Sequence, residues 1–125
     1  NVRFIGAVAP GPAVYELILE NDVLLLPSRT EGVPRTVAEA TAARRLVLAT
    51  PVGSIPGTFG DSVRYLDDSS PESIMDGMRW AVEHQSAWSA HVEKAADVAE
   101  GLTIDAASEK LVSFVRGWMS ETRDA

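Results

Sequence analysis

Apolar and polar residues come in blocks along the first half of the chain, and the blocks differ in kind. "DVLLLPS" at 22–28 and "RLVLATPVG" at 45–53 each hold an unbroken apolar run closed by Pro or Gly. Short runs that are apolar on both faces fit strands of a parallel sheet covered from both sides. "VRFIGAV" at 2–8 reads as a short strand ending at Gly6, and "SVRYLDD" at 62–68 as one more. Helical spacing lies between them. "PGPAVYELILEN" starts a helix near Pro12 with Val14, Leu17 and Ile18 on one face, and a second helix is expected over about 34–44, with Pro34 at its start, where a missing N–H costs nothing. Strand, helix, strand, helix, strand over about 50 residues predicts right-handed crossovers and a parallel sheet.

From Ser70 onward the pattern turns helical. Ser70 as cap, Pro71 in the first turn and the stripe Ile74, Met78, Ala81 and Val82 predict a helix over 71–86. Trp88, Val92 and Ala96 suggest a second, to about 100, and Thr103 caps a third carrying Ile104, Ala107, Leu111, Val115 and Trp118 on one face. The tryptophans and methionines at this spacing read as core. The whole is expected to be an α/β fold, a three-layer Rossmann-like parallel sheet with helices on both faces and a helical C-terminal tail.

Composition narrows the function classes. At 125 residues, 46% apolar and 23% charged, residues 1–125 fit one globular domain with a real core. No apolar run approaches the roughly 20 residues of a membrane span. The chain opens "NVRFIGAV", with no initiator Met and no secretory signal pattern, so a piece of a longer, cytoplasmic protein is expected. With no cysteine there is no disulfide and no thiolate chemistry, and His84 and His91, seven apart, read as surface residues on one helix face with no further metal ligand nearby. A net charge of −7 argues against nucleic acid as a partner.

The chemistry concentrates in "PSRTEGVPRTVAEATA" at 27–42, where Glu31 and Glu39 stand eight positions apart. If a strand precedes and a helix follows, "RTEGV" is a loop at the carboxyl end of a parallel strand, where open α/β sheets bind ligands. The helix start leaves backbone donors free, expected at Arg35, Thr36 and Val37, and such an end attracts phosphate. Glu39, one turn inside, leans back toward that end. Two acceptor carboxylates beside a phosphate-friendly helix start suit a ligand with hydroxyls next to phosphate, such as a nucleotide sugar. Residues 29–45 also hold four arginines against two glutamates, a local +2 in an acidic chain. The plain alternative is that Glu31 accepts helix-end hydrogen bonds, Thr30 caps, and Glu39 sits on a solvated face.

At these residues the sequence resembles the C-terminal half of the retaining GT-B glycosyltransferases, the large group that includes capsule, lipopolysaccharide and mannosyl transferases. The resemblance runs in order through "VRFIGAV", "NDVLLLPSRTEGVPRTVAEATA", "LVLATPVGSIP" and the helical tail, and its most specific part is the pair of glutamates separated by seven residues. It implies a partial GT-B donor-binding domain and retaining transfer of a sugar from a nucleotide sugar to an acceptor hydroxyl. Glu31 would contact the transferred sugar at the reacting centre, positioning and stabilising rather than attacking, and Glu39 would hold the ribose. The amides of Gly32 and Val33 would line the sugar pocket, with those of Thr36 and Val37 facing the diphosphate and Pro34 and Arg35 between them. No metal or cofactor is implied beyond the donor. The acceptor, a glycan or lipid-linked hydroxyl, would be bound by a separate N-terminal half, and association of the full enzyme with a membrane surface and a dimer through an exposed apolar face are further expectations. A catalytically inactive nucleotide-binding or scaffold module is the alternative.

The sequence departs from the family pattern at three places. Arg44 stands where Gly usually ends the helix, so either the Arg is strained or the turn is rebuilt. Leu46 replaces the usual Pro, and Gly53-Ser54 replaces a Gly-Gly pair after the next strand.

Overall fold

A computed structural model describes residues 2–121, apart from the side chains of Ala96 and of residues 117–121. Three parallel strands form the sheet in the order β1 (Val23–Leu26), β2 (Leu46–Ala49), β3 (Arg64–Tyr65). The β1–β2 ladder runs from Val23↔Leu46 to Leu26↔Ala49, and β3 adds Leu48↔Arg64 and Ala49↔Tyr65. The described residues also form six helices: α1 (Pro12–Leu19), α2 (Arg35–Ala42), α3 (Ile55–Phe59), α4 (Pro71–Glu83), α5 (Trp88–Gly101) and α6 (Ile104–Glu121).

The unbroken apolar runs of β1 and β2 feed two cores, because successive side chains of a strand point to opposite faces. On one face Val47 and Ala49 are buried with Val37 and Ala40 of α2, Ile55 and Phe59 of α3, and Val63, with Leu24 and Leu26 of β1 against them. On the other, Leu46 and Leu48 are buried with Leu66 and Ala81 of α4, and Val23, Leu25, Trp80 and Trp88 pack around them. The expected three-layer arrangement is therefore present.

Four expectations need correction. Residues 2–8 form no strand: the segment enters no ladder, Gly6 takes φ 71, which breaks an extended run, and Phe4 is 94% exposed. Met75 and Met78 are exposed rather than core. Helix α4 meets the sheet through small residues instead: a Cβ on Gly77 would lie 2.3 Å from Leu66 Cδ2, so Ile74, Gly77 and Ala81 form the contact and Val82 stays outside. The two histidines sit on different elements, His84 ending α4 and His91 within α5, both against Trp80, with His91 Nδ1 donating to the Asp61 carbonyl at 2.8 Å. Helix α3 was not anticipated. Core roles for Ala96 and Trp118 lie outside the described residues, and Leu111, Phe114 and Val115 of α6 are exposed.

The Ser70 cap of α4 is as expected, its hydroxyl accepting from the Ser73 N–H at 3.2 Å. Two hydrogen bonds from Ser70 to Asp68 hold the Asp68 carboxyl below the usual carboxylate range. Lys94 Nζ donates to Asp61 at 2.9 Å and lowers that carboxyl likewise.

Helix α2 ends on the one non-glycine residue with positive φ among the described residues, Arg44 at φ 55. The Arg44 N–H donates to the Thr41 carbonyl at 3.0 Å and the Arg45 N–H to Ala40 at 2.9 Å, the paired bonds of a left-handed helix stop. The turn has thus kept the geometry glycine favours and placed an arginine in it. We expect Arg44→Gly to raise the free energy of unfolding by about 1 kcal/mol, measured by urea denaturation, since a left-handed L-residue costs about that much.

Candidate functional site

The strand β1 ends at Leu26 and the chain turns through residues 27–34 into α2, whose cap is Pro34 at ψ 119. Pro34 is buried and extended just before the first helical residue, Arg35, rather than inside the first turn. The Val37 N–H donates to the Pro34 carbonyl at 3.2 Å. The free donors at this helix start are therefore those of Arg35 and Thr36, and the expected third, Val37, is engaged; the N–H groups of Gly32 and Val33 make no hydrogen bond among the described residues.

Both glutamates lie at this junction, and each is anchored through one oxygen. Ser28 Oγ donates to Glu31 Oε1 at 2.6 Å, so Glu31 bonds within its own loop and not to the helix end. Arg35 Nε donates to Glu39 Oε1 at 2.9 Å across one turn, with the Glu39 side chain only 12% exposed and that of Arg35 76% exposed. Glu39 leans back to the helix start as its position predicts. In both carboxylates Oε2 is free among the described residues, and the terminal nitrogens of Arg35 face solvent. Thr30 caps nothing, because α2 has no side-chain cap.

The loop is held from beneath by the segment after β2. Thr50 Oγ1, almost fully buried, donates to the Ser28 carbonyl, and Ser54 Oγ donates to the Gly32 carbonyl. Between these bonds Gly53 lies so close that a Cβ there would stand 1.8 Å from the Glu31 carbonyl oxygen, and its φ is 58. Ser28, Thr50, Gly53 and Ser54 were not among the candidate residues. Only the paired register of β1 and β2, which brings the two loops side by side, reveals them.

Chemically, two acceptor oxygens at fixed anchors, a row of free backbone N–H groups and an exposed guanidinium stand at the carboxyl end of a parallel strand. This set matches a ligand that presents hydroxyls and anionic oxygens together.

A family model described as "Glycosyl transferases group 1" matches residues 1–100. A curated relative, named "Putative teichuronic acid biosynthesis glycosyltransferase TuaC", from Bacillus subtilis (strain 168), is 31% identical over 83 residues, which cover 66% of this chain and 21% of the relative. The chain spans about a fifth of that relative's length.

Replacing Gly53 with Ala forces either the Glu31 peptide or the left-handed turn at 53 to move. We expect a loss of about 2 kcal/mol or more of stability in denaturant melts. Amide chemical-shift changes in heteronuclear NMR should be largest at residues 31–33.

Proposed function

The chain belongs to the group 1 glycosyl transferases, and from that premise we propose that it supplies the donor-binding part of a retaining, nucleotide-sugar-dependent enzyme. The reaction moves a sugar from a nucleoside diphosphate to an acceptor hydroxyl on a glycan, polysaccharide or lipid-linked carrier. The relative's name, which refers to teichuronic acid biosynthesis, supports a glycan product.

One observation carries this reading: two carboxylates with a free oxygen each flank unpaired N–H groups at the end of β1. Glu39 accepts the ribose hydroxyls through Oε2. The N–H groups of Arg35 and Thr36 and the positive end of α2 meet the diphosphate, and the exposed Arg35 guanidinium lies on the same side. Glu31 accepts hydroxyls of the transferred sugar, beside the N–H groups of Gly32 and Val33, and stabilises positive charge developing at the reacting carbon. It is not the attacking group. The leaving diphosphate takes the acceptor proton, so the protein's task is to orient donor and acceptor rather than to form a bond. The donor is a substrate, and no other cofactor enters this scheme. The acceptor is bound by a further part of a longer, cytoplasmic protein. No helix among the described residues is long and apolar enough to cross a membrane.

Calorimetric titration of this chain with UDP, GDP and their sugar conjugates tests the reading. One nucleotide is expected to bind, and Glu39→Ala to weaken it by about tenfold to a hundredfold, the effect of losing hydrogen bonds to a charged acceptor. Binding unchanged by that substitution, or no binding by any of these compounds, overturns it.

A further inference from the structure

We propose that Ser28 is the positioning residue for Glu31, and that the segment 50–54 after β2 is the brace on which the pair is set. The inference deepens the donor-site reading and rests on it.

The Ser28 hydroxyl has a single proton, and the structure commits it to Glu31 Oε1 at 2.6 Å, within the range of a charge-assisted bond. A glutamate side chain otherwise samples several rotamers, and freezing it on each binding event costs entropy. The bond to Ser28 removes that cost in advance and leaves Oε2 as the oxygen offered to a ligand. A side-chain anchor of this kind works only if its own base is fixed. The Ser28 carbonyl is held by the buried Thr50 hydroxyl, the Gly32 carbonyl by the Ser54 hydroxyl, and the Glu31 carbonyl abuts Gly53. These contacts therefore grip the main chain on both sides of Glu31 and at Glu31 itself. A loop that needed only to close would be served by the main-chain contacts alone; the bond from Ser28 ends on the carboxylate and sets its direction.

Two measurements test this, both with Ser28→Ala and Ser28→Thr, and the first also with Thr50→Val. The first reads the Glu31 side chain directly in this chain, through three-bond couplings and methylene relaxation in NMR. The wild type and Ser28→Thr are expected to hold one rotamer, while Ser28→Ala averages over several, with the dispersed amide spectrum of a folded protein retained. A Glu31 side chain equally fixed, or equally averaged, in wild type and Ser28→Ala overturns the proposal. Thr50→Val guards against a local effect of the Ser28 substitutions, and is expected to loosen Glu31 with Ser28 intact. The second measurement uses the full-length protein that carries this chain, assayed with UDP-glucose, UDP-N-acetylglucosamine and GDP-mannose. For the donor it turns over, Ser28→Ala is expected to lower kcat about tenfold with little change in donor KM, as for a group pre-set for the transition state, and Ser28→Thr to recover most of it. Full kcat in Ser28→Ala, with Glu31→Ala inactive, overturns the positioning role. Full activity in Glu31→Ala instead removes the donor-site role of Glu31, and the NMR result stands apart from it.

Discussion

The contact on which the site depends is the approach of one main chain to another, Gly53 beneath the carbonyl of Glu31. No residue with a Cβ fits there without displacement, since that atom would lie 1.8 Å from the oxygen. The approach follows from the sheet. β1 and β2 are paired in parallel with partners 23 residues apart, and the loops that leave their carboxyl ends keep nearly that offset. The bonds from Thr50 to Ser28 and from Ser54 to Gly32 each span 22 residues. The ladder is in effect continued beyond the strands, with hydroxyls donating where N–H groups did. A buried apolar core fixes the strands, the strands fix the loops, and the loops fix the carboxylate.

The same hierarchy explains what sequence could reveal. The runs "DVLLL" and "RLVLA" announce strands buried on both faces, and both cores they feed are present, with β2 buried throughout and the edge strand β1 half-buried. Helix α2 was legible from Pro34 and the spacing behind it, and the backward lean of Glu39 followed from helical geometry alone. What failed needed information from outside the segment. "VRFIGAV" has the composition of a strand, but a strand exists only with a partner, and Gly6 turns the chain away. Helix α3 is five residues long and contains Pro56 and Gly57, so no period could mark it. The packed face of α4 departs from its apolar stripe because its closest contact is made by Gly77, which carries no hydrophobic signal at all. Ser28, Thr50 and Ser54 were silent for a related reason: their bonds are tertiary, and hydroxyls occur in any loop.

Helix α2 shows how one element can carry two unlike demands. Its buried side, Val37, Ala40 and Thr41, is needed by the core, while Arg35 and Glu39 on its other side pair with each other across the first turn. Its C-terminus stores strain at Arg44, whose backbone has kept a glycine-like conformation. The hydrogen bonds of the stop are formed with arginine in place, so the fold accommodates it at an energetic cost rather than through a different turn.

The bracing of residues 28–32 by 50–54 also bears on how this site can be re-engineered or inherited. Between the two loops, sequence that neither feeds the core nor carries Arg35, Thr36 and Glu39 is free to drift, but the loops themselves are one object in two pieces. A chimera that transplants the glutamate loop from a distant relative, and leaves the host's own Thr50–Ser54 beneath it, would seat a foreign carboxylate on a mismatched cradle. On the donor-site reading proposed above, exchange of donor preference therefore calls for moving both loops together, although more than fifteen residues of helix and strand lie between them.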